Sequence, residues 1–219
     1  MARASVLPGY SFSTSASRYR STATGQFVSR QRILDLLDGQ ITSAENRIGA
    51  LTTSFVEGQL APAMYQVQMR DELRRLHIQN ASLGAGGLDK PSQREYGRMG
   101  AMLRDDYRRI TNLITDVQAG KATLPQALNR VQGYIGSARV NFYAAERDAA
   151  AEGARQRGVS LEERRRLGVA EHCGDCVSFA ALGWQPLGVL YPPGVGSSCT
   201  SHCRCLLERR EVSAVTKAA

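Results

Sequence analysis

The chain has no cysteine in its first 172 residues and five after them. Cys173 and Cys176 lie in His-Cys-Gly-Asp-Cys, and Cys199, Cys203 and Cys205 lie in Cys-Thr-Ser-His-Cys-Arg-Cys. Paired cysteines two residues apart, answered by a second cluster at this distance, are the pattern of a closed tetrahedral zinc site. The region is too small to hold a fold on its own apolar core, so a metal is expected to stand in for one.

The chain is 219 residues long, which allows one or two domains. An apolar content of 42% supports a core over most of the length, and aromatic residues contribute only 6%. That core is therefore expected to be Leu, Ile, Val, Ala and Met. The formal net charge of +8 favours an acidic partner, such as nucleic acid or an acidic protein face. No run approaches the roughly 18 apolar residues of a membrane helix, and residues 1–20 carry no signal-peptide-like core. The expectation is a reducing cytoplasm, where clustered thiols bind metal more often than they pair. No membrane partner and no small-molecule substrate are expected.

Residues 1–30 read as a flexible basic arm. Ser and Thr dominate, Arg3, Arg18, Arg20 and Arg30 supply charge, and no acidic residue precedes Asp35. An arm of this kind can order on a protein or contact DNA. From 31 to 168 the period becomes helical. Leu37, Ile41, Ala44, Ile48, Leu51 and Phe55 form one stripe, and a less regular helix over 62–81 turns Met64, Met69, Leu73 and Leu76 inward. Gly84, Gly86 and Gly87 read as a loop. A third helix follows Pro91, striped by Tyr96, Met99, Leu103, Tyr107, Ile110, Ile114 and Val117. Thr123 caps a fourth, with Leu124, Leu128, Val131, Ile135, Ala138, Phe142 and Ala145 on its stripe. Ser160 and Glu163 form a capping-box pair that predicts a short helix over 161–167. Its Arg164-Arg165-Arg166 run reads as a solvated face, or as a contact for phosphate or an acidic partner. Gly97, Gly100, Gly133 and Gly136 fall inside the predicted helices, either to allow close helix approach or as neutral surface positions. After Gly168 the period vanishes and Gly and Pro recur, which places a boundary at 168–172. The fold class expected is mainly α: a helical bundle over 31–168, a small, irregular zinc-stapled subdomain over 169–212, and a tail over 213–219.

Within the cluster, five thiols compete for four places. Cys173 and Cys176 are expected to bind structural Zn2+ with two of Cys199, Cys203 and Cys205, while His172 and His202 are second choices or outer donors. The strand–CxxC–helix setting of a redox pair is missing. A nucleobase deaminase would show His-x-Glu upstream of its cysteines, and none occurs. His77 sits on a predicted helix and reads as an ordinary helix residue. With no phosphate loop and no nucleophile elbow, the chain is not expected to be an enzyme.

The run from Leu167 to Cys176, then Gly183-Trp184, Pro186-Leu187-Gly188 and Pro193-Gly194-Val195-Gly196, and finally Cys199 with Cys203-Arg204-Cys205, resembles the terminal cysteine motif of tailed-phage minor head proteins. These head-morphogenesis proteins are similar to the F protein of phage Mu. Many members carry His three residues before the closing Cys-Arg-Cys; Thr200 stands there in this chain, beside Cys199. Tyr19-Arg20 with Thr24-Gly25-Gln26-Phe27-Val28-Ser29 also resembles an N-terminal motif of these proteins. The resemblance covers about 40 C-terminal residues closely and the rest loosely. It implies a structural minor capsid protein of the virion head, assembled in the host cytoplasm and present in multiple copies. The implied partners are portal or major capsid subunits, with packaged DNA reached through the basic arm. The competing expectation from charge and cysteines is a zinc-ribbon nucleic-acid-binding protein.

Overall fold

A computed structural model describes residues 7–87, 91–169, 171–199, 203 and 205–212. The chain opens with a hairpin, β1 (Tyr10–Ser13) and β2 (Arg18–Ser21). Four helices follow: α1 (Arg30–Val56), α2 (Pro62–Ala85), α3 (Gln93–Gln118) and α4 (Leu124–Arg157). The C-terminal part holds β3 (Ser160–Arg166), α5 (Gly174–Ala181), β4 (Gln185–Pro186) and β5 (Leu206–Val212).

Local chemistry sets the helix ends. The Ser29 hydroxyl accepts the Arg32 amide, and Pro62 opens α2 where its missing N–H costs nothing. Ser92 and Glu95 form a reciprocal capping box on α3. Gly86 and Gly158 end α2 and α4 in the left-handed region that favours glycine.

The helices form an intramolecular bundle, in which α2 and α4 share the most extensive interface and α1 packs on both. Leu37, Ile48, Met69, Leu73, Leu76, Ile110, Leu113, Ile135 and Phe142 are all buried in one continuous core. Each such side chain contributes roughly 1.5–3 kcal/mol through its removal from water. The expected stripes of α1 and α4 are buried as expected, apart from half-buried Leu51, Leu124 and Leu128. On α2 the inward residue is Tyr65, stacked on Phe55 at 4.4 Å, and Met64 is exposed. On α3, Tyr96 is exposed and Leu113 joins the core.

Three expectations are corrected. First, residues 10–21 are not a flexible arm. The hairpin sits on the end of the bundle, where Tyr19 is buried and its hydroxyl donates to the Leu83 carbonyl at 2.7 Å. Phe12 packs edge-on against that ring, 5.1 Å between centroids. Leu7, Phe12 and Tyr19 are few, but the bundle supplies the apolar surface that they cannot make alone. Second, 160–166 is a strand rather than a helix. β3 pairs antiparallel with β5 over its whole length, and with β4 on its other edge. Glu163 and Arg165 turn inward and Arg164 and Arg166 outward, a period of two that outweighs the capping-box signal. Outside, Arg164 and Arg166 both pair with Glu208 at 2.8 Å, and Glu162 pairs with Arg210 at 2.7 Å. Third, the boundary at 168–172 moves upstream, because β3 leaves the bundle directly after Gly158 and belongs to the C-terminal sheet. Residues 1–6 and the 213–219 tail lie outside the described residues.

The sheet is tied to the bundle by charge. Glu146 on α4 accepts from Arg30 Nε at 2.7 Å and from Arg209 Nη2 on β5 at 3.0 Å. Glu163 on β3, fully buried, pairs with Arg147 of α4 at 2.6 Å and accepts the Gly188 amide at 3.1 Å. Arg147 also donates to the Leu190 carbonyl.

Candidate metal centre

Each cysteine reaches the centre from a different local structure. Cys173 is the N-cap residue of α5, and Cys176 lies in its first turn, so one helical turn aims both sulfurs the same way. The Asp175 carboxylate accepts from the Ser198 amide and hydroxyl, both at 2.8 Å, which pins the loop that delivers Cys199 against α5. Cys203 and Cys205 immediately precede β5, so the sheet carries them in.

Cys176 is the hub. It lies with Cys173 and Cys199 in one set of three mutually close thiols, and with Cys203 and Cys205 in a second. Its Sγ is 3.5 Å from that of Cys199 and 3.7 Å from that of Cys203. A disulfide requires about 2.05 Å. Four thiolates around a zinc-sized ion, with metal–sulfur bonds of about 2.3 Å, stand about 3.8 Å apart. The thiols therefore sit at the spacing of co-ligands, and the cluster could hold a metal ion. Leu167 packs against it, and Cys176, Cys203 and Cys205 are buried.

The structure brings all five expected ligands together. Cys203 and Cys205 both reach Cys176, so the alternative between them is a competition at one site. His172 lies beside the cluster: its Nε2 donates to the Gly168 carbonyl at 2.8 Å, and its Nδ1 faces Cys205 Sγ at 3.7 Å. His202, Thr200 and Arg204 lie outside the described residues.

The thiols are not electrically equivalent. Hydrogen bonds from the Cys176 amide and then from Ser198 hold the Cys173 thiol down at about 6. Burial pushes Cys176 and Cys199 up to about 12. Unliganded, those two stay protonated at neutral pH, and a cation is needed to displace their protons.

Two features are not legible in the sequence. Arg165, placed on a solvated face, points into the cluster and is buried. Residues 160–166 read Ser-Leu-Glu-Glu-Arg-Arg-Arg, and no alternation of apolar and polar residues marks which arginine turns inward. His77 is also no ordinary helix residue. Fully buried, it lies 3.2 Å from Asp106 Oδ2 and 2.7 Å from Asn141 Nδ2, and Ser137 donates to the same carboxylate at 3.1 Å. A lone histidine on a helical stripe carries no sequence signal for such a network.

Among the described residues no helix is long and apolar enough to cross a membrane. No protein-family profile, no curated protein and no solved structure matches the chain.

Proposed function

We propose that this chain is a structural minor capsid protein of a tailed-phage head, with a C-terminal subdomain held by Zn2+ on four of Cys173, Cys176, Cys199, Cys203 and Cys205. The observation that carries the reading is the convergence of all five motif cysteines on Cys176, at co-ligand spacing, in the motif that resembles minor head proteins. Zinc suits the donor set because thiolates at tetrahedral spacing are its preferred closed site. In this reading the ion supplies stability and no catalysis. The bundle gives packing surface for portal or major capsid subunits, and the metal-held subdomain gives a second rigid contact patch.

The zinc-ribbon nucleic-acid binder is the second reading. In its favour, five of the eight net positive charges fall in the first 34 residues: Arg3, Arg18, Arg20, Arg30 and Arg32, with no acid among them. Against it, the arginines of the metal-side sheet, Arg164, Arg166 and Arg210, are bridged to Glu208 and Glu162. Among the described residues, that leaves no open phosphate track beside the cysteines.

Quantitative mass spectrometry of DNA-filled particles separates the two. A fixed copy number per particle is expected. Complete absence from particles, together with DNA affinity that falls steeply with salt, would replace the capsid reading by the second one.

A further inference from the structure

Arg165 is buried, 2% exposed, and among the described residues it pairs with no carboxylate. The buried acid two positions before it, Glu163, is already engaged by Arg147. The guanidinium is nonetheless tightly placed. Nη1 lies 3.7 Å from both Cys176 Sγ and Cys203 Sγ, and Nη2 donates to the Tyr191 carbonyl at 2.5 Å. The plane lies over the Phe179 ring, 4.9 Å from its centroid. Among the described residues Nε has no hydrogen-bond partner.

An isolated buried cation is costly, and a guanidinium does not shed its proton to escape that cost. Neutral thiols do not offset it. Four thiolates around one divalent cation make a centre of net charge −2, so a neighbouring cation offsets half of the excess. We propose that Arg165 is the built-in counter-ion of the metal centre: it donates to the sulfurs of Cys176 and Cys203 when these are metal-bound thiolates and fixes both as ligands. The inference rests on the metal reading above. It narrows the choice among five cysteines to sets that contain Cys176 and Cys203. It also assigns the middle arginine of the Arg164–Arg166 run a role opposite to that of its neighbours: they hold the outer face of the sheet, and it holds the metal. Arg165 here is a positioning and charge-balancing residue rather than a ligand.

The test uses the full chain, zinc alone, and cobalt(II) as a spectroscopic probe. Zinc affinity is measured by chelator competition for the wild type and for Arg165→Gln, Arg165→Lys and Arg164→Gln. The last removes the same charge from the opposite face of the same strand. Arg165→Gln is expected to weaken zinc binding by about 10- to 100-fold, the usual effect of losing an outer donor. Arg164→Gln is expected to stay within about twofold of wild type, since its charge is solvent-screened. Arg165→Lys is expected to recover most of the affinity, because it keeps the charge. In the cobalt form, Arg165→Gln should move the sulfur-to-metal charge-transfer band to lower energy, because the sulfurs lose N–H donors; a merely structural role would not move it. Should the glutamine variant fail to fold, the lysine and Arg164→Gln variants still decide the matter: a lysine variant weakened by 100-fold, or equal losses in both, would overturn the charge-balance role. Wild-type-like affinity and spectrum in Arg165→Gln would also overturn it while leaving the metal reading intact. Failure of the wild type to bind zinc would overturn both.

Discussion

Gly84 shows how one side chain, by its absence, sets the geometry of the bundle. A Cβ there would run into the Phe142 backbone and lie 2.9 Å from the Glu146 amide nitrogen. The α2–α4 interface can close only because Gly84 has none. Gly84→Ala is expected to destabilise the chain by about 3 kcal/mol, at the upper end for forced overpacking, as read by denaturant unfolding. Gly97, Gly100 and Gly133 meet nothing within 4 Å at the same position, so alanine there should not clash. In the sequence the glycines inside α3 and α4 stand out, whereas Gly84, which is expected in a loop, lies in the last turn of α2. Close approach is a property of a pair of helices, and a single helix period does not reveal which glycine faces a partner. The same limit explains Arg165: its identity was plain, but its direction depended on a strand that the capping-box signal concealed. The five cysteines were legible because their chemistry and spacing are local, whereas their order around Cys176 depends on β5 and the Asp175–Ser198 clasp.

Ion pairs tie the C-terminal sheet to the bundle. Arg30 at the start of α1, Glu146 on α4 and Arg209 on β5 form one group, and Glu163 on β3 with Arg147 on α4 forms the next. Burial raises the Glu146 carboxyl, but Arg209 and Arg30 outweigh it and hold the group below its ordinary 4.5. With a depressed folded pKa, the stabilising contribution is full above pH 4.5 and is lost as the pH falls through the lower folded value. Glu146→Gln should cost about 3 kcal/mol near neutrality, because Arg30 and Arg209 lose their shared acceptor. It should also flatten the loss of stability below pH 4.5. Unfolding midpoints across pH 3–7 for both proteins check this; parallel curves would mean that the pairs contribute little. The helical body was legible in the sequence, since its stripes repeat over many turns. The two small sheets were not, because strands of four to seven residues within charged or Ser-rich text carry weak periodicity.

At the scale of the whole molecule, a basic four-helix body carries a hairpin at one end and a cysteine-bearing sheet joined to it through buried charge. On the proposed reading, this arrangement presents rigid surfaces to neighbouring subunits, and its cysteine cluster would depend on a bound metal ion. The most direct measurement is zinc content together with thiol count on the full chain purified without added metal. One zinc per chain is expected, with at most one thiol reactive before chelation and five after it. A metal-free protein with all five thiols reactive from the outset, or with disulfides among them, would contradict it.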